Sequence, residues 1–559
     1  MTVVTSFPHN VREIETLWIP MPDGCRLAAR AWLPDGCEEK PVPAVFEYIP
    51  YRRRDITRPR DEPIHRYFAG NGLASLRVDM RGSGDSDGLM RDEYEDQEQL
   101  DAVEVIAWLA RQPWCAGTVG MFGKSWGGIN ALQVAARRPP ELKSILSVCS
   151  TDNTYFDNDH YLGGCLTDIQ MIWGTLFLAQ LRRPPDPAVV GERWRAKWQE
   201  RLANDAMPLE NWFRHQRYDE FWKRTSICED YSRIACGTFL VGGWLDGFSS
   251  SIFRMLNGLR CPRKALVGPW GHQYPHDGKP GPAVGFLQEA VRWWEYWLKG
   301  IDNGVMDEPM LRVWQQESAV PDARAAVREG RWVEEPAWPS PNIATSRMFI
   351  NAGTLDASPA AEISRWICST ETVGLASNFW HSAFDDHQAA DQREEDGCSL
   401  CFDSAPLAEP LAILGGPVVT LQLSADRRIA MVAVRLTDVS PDGASLFVTF
   451  GILNLSRRDS HERPHLLEPG RRYRVRVQLE EISHRFAAGH RIRVAVSTSY
   501  WHRVWPMPER ATLEVVTGAS FLDLPVRRPR PEDENVRSAR KGTLAGPDYP
   551  SPCDQKEFG

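Results

Sequence analysis

The sequence predicts a parallel α/β core, interrupted by a helical insertion and followed by an all-β sandwich, and three patterns predict it. Short apolar runs alternate with helical stripes over the first 150 residues, strand signals pause between about 151 and 232, and beyond about 315 the apolar period becomes two. A chain of 559 residues is also too long for one compact core. The expected divisions are 1–150 and 233–315 for the two parts of the core, 151–232 for the insertion and 316–559 for the sandwich.

In chain order, AVFEYI (44–49), GLASLRVDM (72–80) and GTVGMFG (117–123) read as parallel strands joined by crossover helices. In EQLDAVEVIAWLARQ, residues Leu100, Val103, Ala107 and Ala110 form a stripe expected to face the sheet, and the acidic run DEYEDQEQLD before it reads as a solvated helix entrance. The insertion is rich in tryptophan (Trp173, Trp194, Trp198, Trp212 and Trp222), reads helical and is broken by RRPPDP, which suggests a lid or cap. Strands return at GTFLVGGW (237–244) and KALVGPW (264–270). The helix GFLQEAVRWWEYWLKG then turns Phe286, Ala290, Trp294 and Trp297 to one side and ends at GIDNGV. In the last part Tyr473, Val475, Val477 and Leu479, then Ile492, Val494 and Val496, alternate as strands between turn signals such as SPDGAS and EPGRR.

A formal charge of -9 gives no general attraction to nucleic acid or anionic membranes. The first residues lack a basic region leading into an apolar core, and no run of about 18 apolar residues follows. The expectation is a soluble cytoplasmic protein acting on a small molecule or short peptide, with homo-oligomerisation left open. The 12 cysteines are scattered from Cys25 to Cys553 and read as reduced and structural. Cys398 and Cys401 form one CSLC pair without the second ligand pair that a zinc site needs, and neither a P-loop nor a Rossmann fingerprint is present. No metal or cofactor is expected.

Two segments spell Gly-x-Ser-x-Gly: GDSDG (84–88) and GKSWG (123–127). A nucleophilic serine needs a strand running into a sharp turn with a helix beginning at once behind it. GTVGMFGKSWGGINALQVAARRP has that order, with Ile129, Leu132, Val134 and Ala135 on the following helix, so Ser125 is the candidate nucleophile. The Trp126 N–H and the helix dipole would then face a developing oxyanion. Ser86 is flanked by Asp85 and Asp87, whose charges oppose such an anion, and it reads as a loop residue.

The partners of such a serine follow in the order acid, then histidine. Asp246 lies just past one later strand, in GGWLDGF, and His272 just past the next, in VGPWGHQYPH. The imidazole would move the Ser125 proton while Asp246 fixes its tautomer. Each alone could be an ordinary loop residue, and their order and placement carry the assignment. His276 and Asp277 make His-x-x-x-His-Asp with His272, a spacing that suggests metal ligands, but Pro275 and Gly278 oppose the helix that would put residues i and i+4 on one face.

With these residues placed, the chain resembles the family of serine hydrolases that contains cocaine esterase, X-Pro dipeptidyl-peptidases, α-amino acid ester hydrolases and glutaryl cephalosporin acylases. The resemblance spans most of the chain, through PDGCRLAARAWLP, IPYRRRD, DMRGSGDSDG, QPWCAGTVGMFGKSWGG, GGWLDGF, VGPWGH and ISHRFAAGHRIRVAVSTS. It implies an α/β-hydrolase core with an inserted helical cap, followed by a C-terminal jelly-roll domain. It also implies that Tyr51 donates its hydroxyl to the oxyanion beside the Trp126 N–H, and that Phe248 lines the acyl pocket. Many relatives carry Tyr after the serine, but the donor is a backbone group, so Trp126 leaves it intact.

The function expected is hydrolysis of an ester or amide through a covalent acyl-enzyme, with an X-Pro dipeptidyl-peptidase as the alternative. That alternative needs a carboxylate for a substrate ammonium. Asp157, Asp159 and Asp168 in YFDNDHYLGGCLTD are candidates, although solvent-facing or structural roles are favoured for them. A non-catalytic binding protein on a hydrolase scaffold is the distant alternative.

Overall fold

The computed structural model describes residues 7–156, 159–204, 206–377, 388–534 and 536. Strands Val11–Pro20 and Arg26–Pro34 form an antiparallel hairpin, and the second pairs antiparallel with Ala74–Asp79. From there every neighbour is parallel, in the order Ala74–Asp79, Val42–Ile49, Cys115–Lys124, Leu142–Val148, Gly237–Gly243, Arg263–Gly268 and Leu311–Glu317. Parallel neighbours require crossovers, and the helices Arg58–Gly70, Asp96–Ala110 and Trp126–Ala136 supply the first three. Strand Cys115–Lys124 therefore lies inside the sheet, and its C-terminal end is where the crevice for a ligand forms.

Helix Asp96–Ala110 corrects the sequence reading in two respects. Its buried apolar residues are Ala102, Val105, Ile106 and Leu109, while Leu100 of the expected stripe is 48% exposed. Val103 and Ala110 of the expected stripe pack partly buried against the same core, so the covered face is centred on the first set and takes in the edge of the second. The acidic run is not a solvated entrance either: Asp92, Glu93, Glu98 and Asp101 are buried. Asp101 is held by Arg81 at 2.7 Å, Asp92 accepts from the Trp212 indole at 2.9 Å, and Glu93 and Glu98 accept from two further indoles. Buried carboxyl groups persist because donors from other segments satisfy them.

Between strands Leu142–Val148 and Gly237–Gly243 the chain forms a two-stranded hairpin and the helices Ile169–Leu181, Pro187–Val190, Trp194–Ala203, Pro208–Arg214 and Glu220–Lys223. Helix Phe286–Lys299 packs under the parallel sheet with Phe286, Ala290, Trp293 and Trp294 buried and Trp297 half-buried. Gly300 ends it with φ 68, a left-handed cap that glycine adopts without a Cβ penalty.

The C-terminal part is mostly sheet. Strand Leu513–Arg527 pairs antiparallel with Ile343–Ile350, Ile363–Ile367 and Val418–Ala425, and a second group places Met431–Val439 between Ser445–Asn454 and Arg491–Ser497. The two-residue period is visible in Tyr473–Gln478, where Val475 and Val477 point inward. Strand Leu311–Glu317 connects both parts, since Gln316 also pairs with His484.

Candidate active site

Ser125 stands where strand Cys115–Lys124 meets helix Trp126–Ala136, with φ 60 and ψ -122. A side chain at positive φ is strained, and the surroundings hold it there. The Ser125 N–H donates to the carbonyl of Val148 at 2.9 Å, and its own carbonyl accepts from Gly128 and Ile129. The glycines of the motif are steric requirements: a Cβ on Gly123 would stand 2.6 Å from the Gly127 backbone, and one on Gly127 2.9 Å from Ile49 Cγ2. The Trp126 N–H is the first of the helix and so has no acceptor within it.

Tyr51 follows strand Val42–Ile49 by two residues, and its hydroxyl hydrogen-bonds the Ser125 side chain. Burial pushes that hydroxyl well above its usual pKa, with the Glu93 and Asp159 carboxylates adding to the shift, so it remains a donor. The Tyr51 ring meets Trp126 and Trp173 edge-on at 6.3 and 5.9 Å, and Phe177 completes an aromatic wall against Trp126 at 5.1 Å. The Trp126 indole donates to Glu98 at 2.6 Å.

Asp246 and His272 come together as expected: His272 Nδ1 lies 3.1 Å from Asp246 Oδ1, and both residues are buried. Their loops are joined by the Leu245 N–H donating to the Trp270 carbonyl at 3.0 Å. Phe248 is buried and meets the His272 ring edge-on at 5.6 Å, so its observed contact is with the imidazole. Three consecutive residues of the histidine loop are tied down. Lys124 Nζ donates to the His272 carbonyl at 2.8 Å, the Cys149 thiol lies 3.6 Å from the Gln273 carbonyl, and the Tyr274 hydroxyl donates to Glu47 at 3.1 Å. Burial lowers the Lys124 ammonium below its usual pKa.

Lys124, Cys149, Glu93 and Glu98 are the residues that sequence reading missed. A lysine inside an otherwise apolar strand end was the available signal for the first. The surplus of indole N–H groups, each needing an acceptor, was the signal for the two acids. Among the described residues the one group of three metal-type donors is Cys149, Asp246 and His272, whose ligand atoms lie within 4.8 Å of one another. The Asp246–His272 hydrogen bond already engages two of them. Cys398 and Cys401 are free thiols, and His276 is a packed ring between Tyr274 and Phe286. Of the three candidate aspartates, Asp159 acts on the Tyr51 hydroxyl, Asp168 lies 3.3 Å from His502, and Asp157 lies outside the described residues.

The other Gly-x-Ser-x-Gly segment is a loop, as expected, and a structural one. Ser86 is fully buried, accepts from the Ala28 N–H at 2.9 Å and donates to the Asp79 carbonyl at 2.7 Å. Asp85 pairs with Arg53 at 3.1 Å, which anchors the segment that carries Tyr51. Ser86→Ala is expected to lower stability by about 1–3 kcal/mol through the polar groups it strands. It should leave the reactivity of Ser125 intact, as a denaturant titration beside an esterase assay would show.

Parallel strands that deliver a serine elbow, then a carboxylate, then an imidazole are the ground plan of one class of enzyme, the serine hydrolases, and this chain is of that class. More narrowly, it carries the two domains of X-Pro dipeptidyl-peptidases, the S15 domain and the C-terminal one. Residues 23–274 match the X-Pro dipeptidyl-peptidase (S15 family) domain, and residues 303–551 match the X-Pro dipeptidyl-peptidase C-terminal non-catalytic domain. The chain is 26% identical to the cocaine esterase of Rhodococcus sp. (strain MB1 Bresler), over 88% of this chain and 91% of that protein. It is 24% identical to a putative Xaa-Pro dipeptidyl-peptidase of Bacillus cereus, over 87% of this chain and 84% of that protein. Among solved structures, an α-amino acid ester hydrolase superposes with a TM-score of 0.73 at 21% identity, covering 94% of this chain and 98% of the other. A CocE/NonD family hydrolase from Staphylococcus aureus superposes with a TM-score of 0.72 at 16% identity, covering 94% and 99%. The chain thus has the fold of the CocE/NonD hydrolases with a C-terminal non-catalytic domain.

Proposed function

We propose that the chain hydrolyses acyl esters or amides of small molecules by nucleophilic attack of Ser125. In this reading His272 takes the serine proton and returns it to the leaving group, and Asp246 fixes the imidazole tautomer. The Tyr51 hydroxyl and the Trp126 N–H stabilise the oxyanion, and water then cleaves the acyl-enzyme. The observation that carries the reading is Ser125 itself, held at positive φ on the elbow with the Tyr51 hydroxyl bonded to it. The helices between residues 169 and 223 act as a cap over the acyl side, presenting Trp173 beside Tyr51, and the C-terminal strands form a jelly roll. We further infer a soluble cytoplasmic enzyme. No described helix is long and apolar enough to cross a membrane.

A second reading, an X-Pro dipeptidyl-peptidase, is favoured by one observation: the Asp159 carboxylate acts on the Tyr51 hydroxyl, so a negative charge stands beside the reacting centre where a substrate ammonium could sit. A panel of p-nitrophenyl acyl esters, acyl amides and Ala-Pro p-nitroanilide separates the two. The ester and amide reading expects the highest kcat/KM among substrates without a free amine. A kcat/KM for Ala-Pro p-nitroanilide above all of these would replace it with the peptidase reading.

A further inference from the structure

We propose that Glu98 is a positioning residue for the oxyanion hole, acting through the Trp126 indole. The inference rests on the proposed roles of Ser125 and Trp126. Glu98 lies in the first turn of helix Asp96–Ala110 and is 5% exposed. Its Oε1 accepts from Trp126 Nε1 at 2.6 Å, and the Tyr94 backbone N–H also bonds to the carboxyl. Trp126 carries the indole on one side and, on the other, the backbone N–H assigned to the oxyanion. A fixed ring therefore fixes the first turn of the helix behind Ser125. The ring is clamped from its remaining sides by Tyr51, Tyr94, Trp173 and Phe177.

The charge state follows from the surroundings. The ionisable groups around Glu98 are Glu93 on the preceding loop, Glu95 at the helix cap, Asp101 on its own helix and Tyr48 on strand Val42–Ile49. Of the cations nearby, Arg81 is bound to Asp101, Arg137 to Asp96, and Arg224 faces Glu95, while His160 is bound to Glu93. Burial, reinforced by Glu95 and Glu93 against the hydrogen bonds from the Trp126 indole and the Tyr94 backbone, raises the Glu98 pKa to about 8. Below that pH the indole has a neutral acceptor. Above it, a full negative charge stands behind the oxyanion hole in a poorly screened interior and opposes the charge that develops on the substrate. The same shift bears on stability. The folded state binds the proton more tightly than the unfolded chain, so stability falls as pH rises between the usual carboxyl pKa and about 8.

The test compares wild type, Glu98→Gln and Glu98→Leu on an acyl ester by pH-stat, with fluorophosphonate labelling of Ser125 in each. The amide keeps an acceptor for the indole and cannot ionise. Wild type should lose kcat as pH rises through about 8. Glu98→Gln should stay within about threefold of wild type at neutral pH and lack that decline, while Glu98→Leu should lose about tenfold in kcat at little cost in KM. The proposal is overturned if Glu98→Gln and wild type show the same alkaline limb, or if Glu98→Gln is as impaired as Glu98→Leu at neutral pH. If Glu98→Leu does not fold, the pH profiles of the other two decide. Labelling at Ser125 in wild type separates these outcomes from failure of the underlying reading, in which the label would not be found there.

Discussion

Ser125→Ala is expected to lower kcat on acyl esters by on the order of 10^4- to 10^6-fold, leaving only what binding and the oxyanion donors supply. The size of the effect follows from the absence of any substitute. The other serine in the same pattern, Ser86, is fully buried and holds two backbone groups, so it cannot take over. KM should change little, because the hydroxyl contributes to the transition state rather than to ground-state binding. Stability should fall by no more than about 1–3 kcal/mol, since alanine retains the elbow's backbone bonds through the residue 125 N–H and carbonyl and loses only the side-chain bond with the Tyr51 hydroxyl. Activity at the wild-type level in purified Ser125→Ala would remove the nucleophile from the account.

Asp246→Asn is expected to cost on the order of 10^4-fold in kcat with the fold intact. His272 Nδ1 lies 3.1 Å from Asp246 Oδ1, and in the proposed mechanism the carboxylate keeps the proton on that nitrogen so that the other can take the serine proton. An amide can present its NH2 to Nδ1 instead, and the ring then carries its proton on the nitrogen that must act as base. The ring would remain in place, because the His272 carbonyl is held by Lys124 and the ring by Phe248. Misorientation is thus excluded as the cause, and a loss of less than about tenfold would show that the carboxylate does not set the tautomer. A companion circular dichroism spectrum and thermal melt establish that the variant is folded.

The parts of this site that are readable from sequence are those encoded by local order. Ser125 is legible because strand, turn and helix follow one another without interruption. Asp246 and His272 are legible because each follows its own strand in the order the chemistry needs. Tyr51 required the family resemblance, since a tyrosine after a strand has no local signature of a donor. The acidic run before helix Asp96–Ala110 was misread because its partners are remote in sequence. Glu98 meets Trp126 28 positions away, and Glu93 meets His160 67 positions away. A string of charges looks solvated in one dimension, and only the folded chain brings up Arg81 and the Trp126 indole from the core and the Trp173 and Trp212 indoles and His160 from the insertion that allow it to be buried. The face of that helix failed for a related reason: two stripes of helical spacing lie side by side, and the sheet beneath decides where the covered face is centred. Lys124 is the same case at longer range, with its acceptor, the His272 carbonyl, 148 positions away.

The central claim is that Ser125 is the activated nucleophile, and covalent capture tests it most directly. The folded protein is treated with a fluorophosphonate and digested, and the modified residue is located by mass spectrometry. The account predicts a single adduct on Ser125, one per chain, abolished in Ser125→Ala and strongly slowed in Asp246→Asn. An adduct on another serine, or a folded and hydrolytically active protein that takes up no label, would contradict it.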